Sequence, residues 1–296
     1  MRSTRIFSAV LVVGALTLSG CGSDSLDNGS KSSASKADTT VDKAAAAMVP
    51  KAIADKGTLT VGTDATYAPN EFLAGDGKTI QGFDIDLFTA VASKLGLKAE
   101  FVPAKFDSII TGVQGSKYDV GVSSFTINPQ RKQQVNMVSY FNAGTQWATA
   151  PGNPKKINTD SPCGINVAVQ KGTVQQEQDL PVKAAKCKAA GKPINTLVYT
   201  GQDQVTAAVA TGKADAMLAD SPVVAYAVKQ SGGKIQPAGA IYDSAPYGVV
   251  VAKSDTAFAR AIAGAFKALD TSGGYKKILS SWGNQGGAIS TFAVNP

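Results

Sequence analysis

Histidine is absent from all 296 residues. That removes the commonest general base and one of the commonest metal ligands near neutral pH, which weighs against an enzyme; no metal and no cofactor are expected. Aromatic residues make up only 7% and form no array, and the basic residues are not gathered either. Lys and Arg number 29 against 22 Asp and Glu, a net +7 that becomes +5 without Arg2 and Arg5. An excess spread this thinly offers no clustered patch for nucleic acid or a cell-wall polymer. The one long apolar run, Ile6 to Leu18, falls short of the roughly 20 residues that span a bilayer.

That run has another use. Arg2 and Arg5 precede it and the small residues Ser19 and Gly20 follow it, the layout of an export signal over residues 1–20. Leu18-Ser19-Gly20-Cys21 resembles the bacterial lipobox. The resemblance implies cleavage before Cys21, acylation of that cysteine, and anchoring to the outer face of the cytoplasmic membrane. A plain secretory signal with a chance cysteine is the alternative. Residues 22–48 are Ser, Asp, Lys, Gly and Ala with few large apolar side chains, too little to offset ordering entropy. They read as a tether with a root-mean-square span of roughly 30 Å, its Ala44–Met48 end able to begin a helix. The other two cysteines, Cys163 and Cys187, form an even pair in an oxidising exterior. They read as a structural disulfide, with two buried free thiols as the alternative.

From Gly57 onward, strand-like and helix-like patterns alternate, the signature of an α/β protein. Strands are expected at 59–63, 99–102 and 118–123, with helices at 86–95 and 106–114. The rhythm repeats after Cys163: strands at 167–169, 195–199 and 214–218, and helices at 173–190, 202–211 and 221–230. Extended stretches at 144–150 and 247–252 suggest two parallel crossings between two α/β units. A last helix, 257–269, returns to the first. The expected lobes are 49–145 with 247–296, and 146–246.

Five motifs in order resemble the family 3 bacterial extracellular solute-binding proteins, the polar amino-acid receptors of ABC importers. They are Gly62-Thr63-Asp64-Ala65-Thr66-Tyr67-Ala68-Pro69, Gly82-Phe83-Asp84-Ile85-Asp86-Leu87, Tyr118 to Thr126 with Arg131, Val167 to Thr173, and Ala214 to Pro222. The resemblance covers almost everything from Val49 to Phe292. It implies a two-lobed clamshell of type II, each lobe a mixed sheet flanked by helices, joined by a two-strand hinge. It also implies a monomer that delivers its ligand to a permease and, through it, to an ATPase.

A free amino acid needs an anion clamp, a cation acceptor and a selective subsite. The resemblance puts the clamp at Arg131, whose guanidinium fork suits a carboxylate, helped by Thr126. Without that context Arg131 reads as a solvated arginine beside Lys132. Gly172 and Thr173, where a strand turns into a helix, offer backbone N–H groups to an anion, and Thr173 also reads as a helix cap. Asp220 matches the ammonium-binding aspartate and equally reads as an N-cap ahead of Pro222. The backbone carbonyl near Ser124 would join it. Tyr67 and Phe106 are candidate walls, or core residues. Asp64 and Asp84 match positions that hold amide or cationic side-chain ends; Asp84 also reads as an N-cap. Gln170 and Ala219 occupy two further contact positions. Asn70 departs from the phenylalanine common at its position, which suggests a more polar rim. Two carboxylates without a matching cation argue against an acidic ligand and leave glutamine or a basic amino acid. A dehydratase-like enzyme using Asp64, Asp84 or Glu71, and a sensing domain for a signalling partner, are the competing readings.

Overall fold

The computed structural model describes residues 40–296. The export signal, Cys21 and most of the expected tether lie outside the described residues. The tether's last residues do not continue as coil. Asp42 caps a short helix, α1 (Lys43–Ala46), by accepting the Ala45 N–H at 2.8 Å. Ala45 is buried against the core, so the folded body starts before residue 49. Helix α2 (Lys51–Lys56) then leads into the first strand.

Eleven strands are present among the described residues: β1 (Thr58–Thr63), β2 (Thr66–Tyr67), β3 (Glu71–Leu73), β4 (Ile80–Gln81), β5 (Lys98–Pro103), β6 (Val120–Gly121), β7 (Val135–Thr149), β8 (Asn166–Gln170), β9 (Asn195–Tyr199), β10 (Ala216–Asp220) and β11 (Gln236–Ala252). Between them run α3 (Phe83–Lys94), α4 (Phe106–Gln114), α5 (Pro129–Gln134), α6 (Leu180–Ala189), α7 (Gln202–Ala210), α8 (Ser221–Gln230), α9 (Thr256–Thr271) and α10 (Gly274–Ser281). The main sheet has the order β5-β1-β6-β11-β7-β10-β8-β9, and β2-β3-β4 form a small second sheet.

This mixed sheet is two α/β lobes sharing one pair of strands. In lobe 1, β1 lies parallel to β5 and β6. Because side chains alternate faces along a strand, Val249 and Val251 of β11 pack with α3 and α9, while Val250 packs under α4. Lobe 2 repeats the scheme: Met217 and Ala219 of β10 face α7 and α8, while Ala216 and Leu218 join Trp147 and Leu180 of α6. Cys163 and Cys187 form a disulfide 24 residues apart, a loop closure worth roughly 3 kcal/mol in the chain-entropy account.

The sheet corrects the expected crossings. They are not parallel: β7 leaves lobe 1 and β11 returns, so the two pair antiparallel, with register breaks between Ala238 and Tyr242, Tyr242 and Ala245, and Tyr247 and Gly248. Both are also far longer than the extended stretches expected. The expected strand 118–123 shrinks to β6, since Ser124 turns into the left-handed region at φ 52°. The helix expected over 173–190 is broken in two. A π-helical turn, Gln175–Asp179, precedes α6, whose Pro181 has no N–H to continue an i→i−4 ladder. Strand β10 begins two residues later than expected and carries Asp220 as its last residue.

Candidate functional site

Each lobe sends chain ends toward the shared strands. From lobe 1 come the ends of β1 and β6, hairpin β2–β3 and the start of α4; from lobe 2 come the ends of β8 and β10. Between them lies a small, nearly closed cavity of about 10 Å³, lined by Tyr67, Phe106, Ser124, Thr126, Arg131, Thr173, Val174, Gln175 and Asp220.

Arg131 is buried, and Asn128 caps the helix beneath it by accepting the Arg131 N–H at 2.8 Å. Its guanidinium donates to the Thr126 carbonyl at 2.8 Å and, across the lobes, to the Gly172 carbonyl at 2.9 Å. The same group lies over the stacked rings of Phe106 and Phe125, 5.5 and 5.3 Å from their centroids. Burial lowers its pKa to about 10, which leaves it cationic at neutral pH. It is therefore no solvated surface arginine.

Asp220 faces it from lobe 2. Its carboxylate accepts from Gln175 Nε2 at 2.7 Å and from Tyr247 Oη at 2.7 Å. It stands at the N-cap position of α8 but makes no capping bond, so its charge is turned into the cavity. Burial raises its pKa, and the donors from Tyr247 and Gln175 work against that rise. One buried cation and one buried anion thus face a single small cavity, and a zwitterion is the complement of that arrangement.

The lobes are bonded to each other around this space. The Asp220 N–H donates to Tyr67 Oη at 3.2 Å, Gln170 Nε2 to Asp64 Oδ2 at 3.0 Å, and the Gln202 N–H to Thr66 Oγ1 at 3.0 Å. Lys171 pairs with Asp107 at 2.7 Å on the solvent side. Gly172, at φ 79°, brings the lobe 2 turn so close that a Cβ there would lie 3.0 Å from Asp107 Cβ. This is a closed conformation.

The candidate residues fall into three sets. Tyr67, Phe106, Ser124, Thr126, Arg131, Thr173 and Asp220 line the cavity. Thr173 also acts as the cap it resembles, taking the Gln176 N–H at 3.3 Å. Asp64, Gln170 and Gly172 stand just behind, in the bonds between lobes. Asp64 accepts from the Thr66 hydroxyl, the Phe106 N–H and the Gln170 amide, and burial raises its pKa. Asp84 belongs to neither set. It lies beneath the cavity in the first turn of α3, is not the N-cap, which is Gly82, and bonds to Ser124 and Tyr140. Asn70 is likewise fully buried and donates to Ser124 Oγ at 2.7 Å, so it makes no polar rim. Sequence reasoning missed Gln175, Tyr247 and Phe125 as partners of the two charges. Phe125 lay inside a quoted motif; Gln175 and Tyr247 carried no signal, because their roles depend on the π-helical turn and on the register of β11.

The family of bacterial extracellular solute-binding proteins, family 3, matches residues 59–285. An arginine-binding protein of Corynebacterium glutamicum is 38% identical over 252 residues, covering 84% of this chain and 82% of its own. An ancestral arginine-binding protein bound to arginine has a TM-score of 0.71 at 33% identity, covering 76% of this chain and 98% of its own. An ancestral amino-acid-binding protein, a precursor of cyclohexadienyl dehydratase, has a TM-score of 0.70 at 33% identity, covering 78% and 97%. With the match spanning both lobes and the charges that face the cavity, the chain belongs to the family 3 bacterial extracellular solute-binding proteins.

Proposed function

We propose that the chain is a lipid-anchored receptor that captures a basic amino acid, arginine before lysine, histidine or the neutral glutamine, and presents it to the permease of an ABC importer. The observation that carries this reading is the meeting of Arg131 and Asp220 from opposite lobes over one cavity. The α-carboxylate pairs with Arg131 and Thr126, and the α-ammonium with Asp220 and the backbone at Ser124. Tyr67 and Phe106 flank the side chain, and Asp64 takes its far end. In support, Asp64 Oδ2 already accepts an amide N–H from the opposite lobe, the kind of donor a guanidinium supplies in greater number. The relatives named above as arginine-binding point the same way.

Asp220, Gln175 and Thr173 sit on lobe 2 and meet the ligand only on closure, so the ligand favours the closed state. No turnover is proposed: Glu71 and Asp84 are sealed under the cavity. Titration calorimetry of the purified mature chain against a polar amino-acid panel should give arginine a micromolar Kd, about −8 kcal/mol. Glutamate should give no heat. Glutamate binding as tightly as arginine would sink the selectivity, and silence across the panel would sink the receptor.

The anchor rests on the Leu18-Ser19-Gly20-Cys21 run; no helix among the described residues is long and apolar enough to cross a membrane. With Cys21→Ala, the protein should appear in the medium with unchanged ligand affinity. Retention on the cells would show that something other than the lipid holds it.

A further inference from the structure

Beneath the cavity, Glu71 at the start of β3 and Asp84 on α3 are both buried. Glu71 accepts from the Ser123 hydroxyl at 2.9 Å, and its Oε2 lies 3.2 Å from the Ser124 hydroxyl oxygen. Asp84 Oδ2 accepts the Ser124 N–H at 3.1 Å, the Ser124 hydroxyl at 3.1 Å and the Tyr140 hydroxyl at 2.5 Å. Asp84 Oδ1 is buried with no partner of its own.

Two carboxylates cannot both stay ionised in such a place without a cation. The groups facing them supply none. Asp64, at the end of β1, adds negative charge. Tyr140 from β7 donates its hydroxyl, and burial pushes it and its neighbours Tyr67 on β2 and Tyr247 on β11 well above the ordinary phenol range. Arg131 on α5 lies among the charges of Glu177 and Asp220, and Asp220 on β10 is another carboxylate. A single proton resolves the conflict. Carried by Glu71, whose carboxyl is within hydrogen-bonding reach of Asp84, it would cancel one of the two charges. Burial, then the Asp84 charge, hold Glu71 well above its ordinary range, and burial raises Asp84 as well.

The structure beside this pair needs holding. Ser124 is not glycine, yet sits at φ 52°, a region such residues rarely occupy unless their surroundings fix them. Its N–H and hydroxyl are tied to Asp84, and Asn70 Nδ2 donates to the same hydroxyl at 2.7 Å. Ser124 in turn lines the cavity.

We propose that Glu71 and Asp84 share one proton, and that this pair is the positioning element that holds Ser124 in its turn against the cavity, so that ligand binding depends on keeping the proton. The proposal rests on the receptor reading above.

The pH dependence has a definite sign. A carboxyl held above its unfolded value stabilises fully below the ordinary glutamate range, here 4.5. The contribution is lost as pH rises through the folded value. Arginine affinity and thermal midpoint are measured from about pH 5 to about pH 10 for wild type, Glu71→Gln and Glu71→Ala. Glutamine keeps a donor and cannot ionise. At the acid end Glu71→Gln should bind within about threefold of wild type, and Glu71→Ala should lose roughly tenfold or more. As pH rises, wild type should lose affinity and thermal midpoint relative to Glu71→Gln. Either of two results overturns the proposal: Glu71→Gln following the wild-type pH profile, or Glu71→Gln binding as poorly as Glu71→Ala. If wild type binds no amino acid, the receptor reading falls separately, and the two midpoint profiles still decide whether the proton is shared.

Discussion

Asp220→Ala should weaken capture of the ligand by roughly a hundredfold or more, the usual consequence of removing one partner from a buried charge pair. The substitution takes away the one carboxylate that lines the cavity and leaves an ammonium desolvated without a counter-charge. Asp220→Asn is the sharper variant, since it keeps the shape and an acceptor for Gln175 or Tyr247 while removing the charge. If charge recognition dominates, Asn should fail nearly as badly as Ala. The fold should persist in Asp220→Asn, which keeps an acceptor for the buried donors. Calorimetry with arginine, alongside a thermal melt, measures both effects. A Kd within threefold of wild type for Asp220→Ala would remove Asp220 from the site.

Gly82→Ala should be the costliest single methyl in lobe 1, about 3 kcal/mol or more by urea denaturation. Gly82 has φ 139°, and a Cβ there would stand 2.0 Å from the Asn70 carbonyl oxygen and 2.8 Å from that of Pro69. Both are backbone atoms and cannot swing aside. They also accept the first free N–H groups of α3, from Phe83 at 3.2 Å and Asp84 at 3.0 Å. Pushing the helix away therefore breaks its cap and separates Asp84 from Glu71 together. Gly212→Ala is the control: its φ is also positive, at 75°, but nothing lies within 4 Å of a Cβ there. It should lose only about 1 kcal/mol from backbone strain. Equal losses at the two glycines would mean that close approach is not what fixes Gly82.

The same contrast marks where the sequence could be read and where it could not. Helices α4, α7 and α8 were legible nearly to the residue, because their apolar spacing matches the face they bury. Arg131 and Asp220 were legible through the motifs that carry the family resemblance, but each with a plain alternative as a surface or capping residue. What decides against those alternatives is burial, which single-residue chemistry does not encode. Asp84 and Asn70 went astray for a related reason. Their motifs place them near the site, but whether a side chain faces the cavity or the core below depends on the approach of α3 to β3 through Gly82. Glu71 was seen as an acid and not as half of a pair, since its partner lies 13 positions away on another element.

The shared strand pair also bears on how the two halves of the site find each other. Strands β7 and β11 belong to the cores of both lobes, and their register breaks cluster between Ala238 and Gly248. In the receptor proposed above, Arg131 and Asp220 are carried on two lobes joined through this one strand pair. Their meeting is an intramolecular event at a high effective concentration, with no translational search. A ligand already held by one half then encounters the other as a neighbour on the same frame, and its own affinity need only tip the balance of a motion the sheet has already confined.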